Sequence, residues 1–343
     1  IIHVKMTCLM IDLEALELTN SDIKRIKHPL VGGIILFSRN YENKFQLKEL
    51  IISIRKIKKN ILIAVDHEGG RVQRFHSDFT RIPKMSLIGK IYEKDKNRAK
   101  KIAKLIGWII AEELAAVDID FSFTPVLDID YGSSSVIGDR AFHRNVKPVY
   151  ELASYLSEGL GFGGMQSVGK HFPGHGFIKS DTHFEKGIDD RPLEKIQNND
   201  MITFDRLIKT GIRGVMPSHI IYSSCDEKPA GLSKFWLQNQ LRERLKFKGA
   251  IFSDDMSMKA AENSYNNITS RVHNALIAGC DMVLVCNDPN QVDILVNELK
   301  WVPDKESLKR IQSMKLNKNN PSKNSKNYCS ESIEAARSII TGI

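Results

Sequence analysis

Eight short apolar or β-branched runs, each followed by a segment of helical spacing, constrain this chain more than any other feature. The runs fall near Met6–Ile11, Gly33–Phe37, Ile61–Val65, Phe121–Val126, Ser167–Lys170, Gly214–Pro217, Ala250–Ser253 and Met282–Val285. Between them the spacing predicts helices. Ser21–Lys27 stops before Pro29, and Phe45–Lys58 places Leu47, Leu50, Ile51, Ile54 and Ile57 on one face. Asn97–Val117 is long and amphipathic, and Pro148–Leu160, Leu193–Lys209, Ser233–Leu245, Ile268–Ala278 and Gln291–Leu299 follow. Such alternation predicts an α/β protein with a parallel sheet, because parallel neighbours need crossover connections. Eight units in 343 residues fit a single closed (β/α)8 TIM-like barrel better than two open sheets. An open doubly wound sheet is the alternative. It is disfavoured because no glycine-rich dinucleotide loop follows the first run, and Gly69-Gly70 and Gly163-Gly164 are out of that register.

Composition narrows the partners. The formal charge of +9 invites a nucleic-acid reading, but the excess Lys forms no stripe with interleaved aromatics. It is spread over helices and concentrated in the Lys/Asn/Ser stretch Lys315–Lys326, which reads as solvated surface, so no nucleic-acid partner is expected. The longest apolar runs, such as Val31–Phe37, are far short of the ~18 residues a membrane span needs. No charged-then-apolar leader is seen, and Cys8, Cys225, Cys280, Cys286 and Cys329 are scattered without metal or redox spacing. These features predict a cytoplasmic protein with reduced cysteines and no membrane partner.

A barrel carries its active site at the C-terminal ends of its strands. Polar residues just past each run are therefore the candidates. They are Asp66, His67, Glu68, Arg71 and Arg74 after the third run, and Asp128, Asp130, Asp139 and Arg140 after the fourth. Lys170-His171, His175 and Asp181-Thr182-His183 follow the fifth, Ser218-His219 the sixth, Asp254-Asp255 the seventh and Asn287-Asp288 the eighth. Ionisable groups gathered at one end of most strands point to an enzyme.

Asp254 stands at the end of an apolar strand, where a carboxylate can act as a covalent nucleophile or cap the next helix. The Asp254-Asp255 pair leaves both roles open, one for each residue. Pro173 and two glycines make Lys170–Gly176 a shaped loop. Asp181 and His183, two apart, share a side of an extended segment, so the carboxylate can fix the imidazole tautomer for general acid–base work. A loop histidine satisfied by a neighbouring carboxylate is the plainer alternative. A metal-dependent barrel hydrolase using His171, His175, His183, His219 and Asp254 is another. It is disfavoured by the Pro-Gly loop between the first histidines and by the cation of Lys170. No cofactor is expected.

Several segments together resemble glycoside hydrolase family three. They are Lys170-His171-Phe172-Pro173-Gly174-His175-Gly176, Asp181-Thr182-His183, and Phe252-Ser253-Asp254-Asp255-Met256-Ser257-Met258. His28–Gly33, Asp66–Phe75, Ile137–Arg140 and Ala278–Met282 agree in the same order, so the likeness runs from about Met6 to Asp288. It is strongest to the family's single-domain bacterial β-N-acetylglucosaminidases. The resemblance implies a retaining two-step hydrolysis with Asp254 as nucleophile, His183 as an unusual general acid/base and Asp181 as its partner. It implies sugar-binding roles for Asp66, Arg74, Arg140, Lys170 and His171, and a monomer acting on β-linked N-acetylglucosamine in cell-wall fragments. A degenerate sugar-binding protein is the non-enzymatic alternative, disfavoured by the intact Asp254, Asp181 and His183.

The chain departs from the family at His67, where Gln is usual. Residues 1–5 read as an upstream extension, 6–300 as the catalytic barrel, and 301–343 as a divergent Lys/Asn-rich segment packing on or trailing it.

Overall fold

Leu, Ile and Val set the sheet. The computed structural model describes residues 7–179, 187–258, 261, 267–318 and 332–343. In it the eight runs become β1 (Leu9–Ile11), β2 (Val31–Leu36), β3 (Leu62–Val65), β4 (Phe121–Ser122), β5 (Val168–Phe172), β6 (Gly214–Pro217), β7 (Ala250–Ile251) and β8 (Val283–Val285). All eight are buried along their whole length, as expected for parallel strands covered on both faces. β8, β1, β2, β3 and β4 pair in that order, all parallel, and β5, β6 and β7 form a second parallel set. Single parallel bridges, Val126 to Lys170 and Phe252 to Met282, join the edges of the two sets, so the strands follow one another round a ring in chain order. Phe252, just past β7, packs 5.2 Å from Phe121 and 5.5 Å from Phe123, centroid to centroid. Those rings belong to strands that are not neighbours, so they meet across the lumen and fill it. The fold is a (β/α)8 TIM-like barrel.

Helices cover the outside: α1 (Asn20–Lys27), α2 (Lys44–Ile57), α3 (Met85–Lys94), α4 (Lys96–Ala115), α5 (Val146–Phe162), α6 (Leu193–Gln197), α7 (Asp200–Lys209), α8 (Phe235–Arg244), α9 (Ile268–Ala278), α10 (Pro289–Glu298), α11 (Lys305–Gln312) and α12 (Ile333–Thr341). Thr19 starts α1 through a capping box with Asp22, and the Asn43 side chain starts α2. The pair α4 and α5 touch backbone to backbone: a Cβ on Gly107 would lie 2.0 Å from the Leu156 carbonyl oxygen.

Several elements differ from the expectation for physical reasons. The segment 193–209 breaks into α6 and α7 at Asn198-Asn199, where Asn199 leaves helical angles. The ladder of the fourth run with β3 covers only Phe121–Ser122, and further along Pro125 has no N–H to give it. The helix α3 sits inside the connection after β3 and has no strand of its own, so the alternation did not announce it. Beyond the barrel, α11 buries Ile311 and sends Arg310 to Asp281, while α12 sends Arg337 to Glu113. Cys8, Cys225, Cys280 and Cys286 are free thiols, and Cys329 lies outside the described residues. Among the described residues no helix is long and apolar enough to cross a membrane.

Candidate active site

Strand alternation places Asp254. Phe252 faces the lumen, and the residue two further on points to the same side, one layer higher. Its floor is fixed by hydrogen bonds to β8: the Ser253 amide donates to Met282 O, and the Leu284 amide donates to Ser253 Oγ (2.9 Å each). Geometry separates the two carboxylates of the Asp-Asp pair. Asp255 holds the turn that follows the strand, its carboxylate accepting from the amide and hydroxyl of Ser257 and from the Cys286 amide. Burial pushes its carboxyl up to about 7. Asp254 lines a cleft of about 400 Å³, the size range of small-ligand sites.

The opposite wall is a charged network. Lys170, within β5, places its Nζ 2.8 Å from Asp66 Oδ1 and 2.6 Å from Glu68 Oε1. Arg140 grips both oxygens of Glu68, Nε to Oε2 at 2.9 Å and Nη2 to Oε1 at 2.8 Å. Arg74 reaches Asp66 Oδ2 at 3.4 Å. Burial alone would raise the Glu68 carboxyl, but Arg140 and Lys170 hold it well below the usual carboxylate range. Asp66 is likewise lowered by Lys170 and Arg74 against its burial. Burial would lower Lys170, yet the two carboxylates raise it. Such paired ions keep lone pairs and N–H groups that a polar ligand can use, and charge-assisted hydrogen bonds are the strong kind.

A third group shapes the loop after β5. Asp128 Oδ2 sits 2.7 Å from His171 Nδ1, while its Oδ1 accepts the amides of His171 (3.2 Å) and His175 (2.7 Å). One carboxylate thus orients a cleft imidazole and folds the backbone beside it. Burial and the neighbouring His171 push His175 down to about 4. A further buried imidazole, His67, packs against Phe75 and Phe79, and burial pushes it down to about 3. Folded-state values below the ordinary 6.5 mean that the unfolded chain binds these protons first. Stability is therefore full above pH 6.5 and falls with acidification, by at most about 1.4 kcal/mol per pH unit for each group. His67→Gln should flatten this fall between pH 6.5 and 3, measured by urea unfolding at several pH values. An unchanged slope would show that His67 takes up its proton equally in the folded and unfolded chain.

Asp66, Arg74, Arg140, Lys170, His171 and Asp254 all line the one cleft. Asp181 and His183 lie outside the described residues, so their placement is not part of this geometry. The sequence puts Glu68 and Asp128 past strand ends without showing their partners. Their burial between cations and imidazole shows them to be the supports of the cleft. Arg71 also lines it, held by Asp139 and the carbonyls of Ser135 and Val136. Among the described residues no group of three or more His, Cys, Asp or Glu side chains is placed to hold a metal ion.

Comparison with known proteins places the chain in a family. Residues 5–315 match the Glycosyl hydrolase family 3 N terminal domain. A beta-hexosaminidase of Methylobacillus flagellatus is 53% identical over 307 residues, covering 89% of this chain and 88% of the relative. One from Neisseria meningitidis is 47% identical over 302 residues, covering 88% and 83%. The crystal structure of NagZ from Neisseria gonorrhoeae in complex with N-trifluoroacetyl-D-glucosamine superposes with a TM-score of 0.92 at 41% identity, covering 100% of this chain and 99% of that one. With the family model spanning most of the sequence and these relatives and the barrel in agreement, the chain belongs to glycosyl hydrolase family 3, among members named beta-hexosaminidase.

Proposed function

We propose that the chain is a retaining exo-β-N-acetylglucosaminidase that removes non-reducing terminal β-linked N-acetylglucosamine. The observation that carries this reading is Asp254, a carboxylate at a fixed strand end, facing a cleft whose other wall is the Asp66–Lys170–Glu68–Arg140 network. Asp254 attacks the anomeric carbon and the bond to the leaving oxygen breaks, giving a glycosyl-enzyme. His183, oriented by Asp181, gives the leaving oxygen its proton and then takes one from the water that releases the sugar. Asp66, Arg74, Arg140, Lys170 and His171 bind the sugar. The substrate is a muropeptide-derived saccharide, N-acetylglucosamine on 1,6-anhydro-N-acetylmuramic acid with or without its peptide, and the setting is cytoplasmic cell-wall recycling by a monomer. The bound N-trifluoroacetyl-D-glucosamine in the Neisseria gonorrhoeae relative supports the choice of sugar.

The test is incubation with a fluorinated N-acetylglucosaminide whose intermediate turns over slowly, then peptide mass mapping. A sugar adduct on Asp254 is expected. Continued turnover with no adduct would overturn the covalent step, and no binding of the probe would overturn the sugar class.

A further inference from the structure

We propose that Arg191 is a positioning residue for proton transfer to the leaving group: it ties together the two chain ends between which Asp181 and His183 run. This rests on the general acid assigned to His183 above. The first end is held through Phe177, whose carbonyl accepts from Ser133 Oγ at 2.9 Å. Upstream of it, Tyr222 Oη donates to the Gly174 carbonyl at 2.6 Å. The second end is held through Ile188–Asp189, which pairs in parallel with Ile221–Tyr222. Tyr222 thus touches both ends, and Arg191 joins them a second time, nearer to the segment between them. Its guanidinium lies 4.2 Å from the Phe177 ring centroid and 5.1 Å from that of Tyr131, between two rings that themselves meet edge to face at 5.6 Å. The same guanidinium bonds Asp189, Nη2 to Oδ2 at 2.6 Å, and Asp200 at the start of α7, Nη1 to Oδ2 at 2.9 Å.

The chemistry explains the choice of residue. A planar fork can stack on aromatic faces and bind carboxylates at its edge at once, which an ammonium cannot. Phe177 and Tyr131 are each more than a third exposed, so the body of the barrel does not clamp them by packing alone. Without the guanidinium, the Phe177 end loses its link to Asp189, and the two chain ends that flank the proposed acid lose a shared anchor. A misplacement of the order of 1 Å costs roughly 100-fold in a positioned reaction.

A purely structural arginine and a positioning one give different kinetics. The experiment compares Arg191→Ala, Arg191→Lys and Phe177→Ala with His183→Ala, each on an aryl N-acetylglucosaminide with an activated leaving group and on one with a poor leaving group. For Arg191→Ala the poor substrate should lose roughly 10- to 100-fold in kcat, and the activated one less than about threefold. Labelling of Asp254 by the fluorinated probe should be retained. Arg191→Lys should be no better than partial, and Phe177→Ala, at a half-exposed site, should show the same pattern if Arg191→Ala does not fold. If His183→Ala is leaving-group dependent while the Arg191 and Phe177 variants lose equally on both substrates, the positioning role is overturned and the acid assignment stands. If His183→Ala itself shows no such dependence, the acid assignment fails and the positioning role fails with it.

Discussion

Asp254→Gly is expected to lower kcat by roughly four orders of magnitude, the scale on which removing a covalent mechanism's central group is felt. The fold should be little changed. The carboxylate receives the Asp255 amide, while Asp255 itself, not Asp254, holds the turn to Ser257 and the link to Cys286. The variant leaves a gap where the proposed nucleophile stood, so azide should restore turnover of an activated aryl glycoside. The product then is the α-glycosyl azide, because a single displacement inverts the anomeric carbon. A β-azide, or a loss of less than tenfold, would place the nucleophile elsewhere.

Glu68→Ala is expected to have the largest effect on stability, about 3–5 kcal/mol, because it strips a buried ion cluster of one member. Glu68 is 2% exposed and is shared by Arg140 and Lys170. Its removal leaves Lys170 with Asp66 as its remaining carboxylate at this site, and frees the Arg140 guanidinium from both its charged contacts. Denaturant unfolding of the two proteins reads the difference, and KM for the sugar should rise with it. An unchanged unfolding midpoint would mean that water has replaced the carboxylate and that the network is wetter than its burial indicates.

The barrel was legible because burial on both faces leaves a continuous apolar run, and parallel pairing requires a helix between runs. Pro125 and Asn198-Asn199 mark where that logic stopped: both interrupt hydrogen bonding inside a segment whose hydrophobic pattern continues. The candidate site was legible as positions and not as pairings. Asp66, Lys170 and Asp254 could be placed at strand ends, since side-chain direction repeats every two residues. That Glu68 sits between Lys170 and Arg140, or that Asp128 receives His171 and the His175 amide, depends on strands more than forty residues apart in sequence meeting at one rim. Local spacing carries no record of that. His67 is a further case: it reads as polar beside a cleft, yet its ring lies among Phe75 and Phe79 because the backbone at that point turns it away from Asp66.

The pairing of β1 with β8 has a consequence in time. Leu9 is in register with Val283, so the first strand finds this neighbour only when the last is made. At 5–20 residues per second, synthesis of the intervening chain takes roughly 15–50 s. Throughout that interval the ribosome-borne protein presents an unpaired edge along β1, and another along the newest strand. Open parallel edges are templates for pairing with other chains. The hazard for this barrel therefore lies in its manufacture more than in its finished state, and anything that slows translation ahead of residue 283 lengthens the exposure.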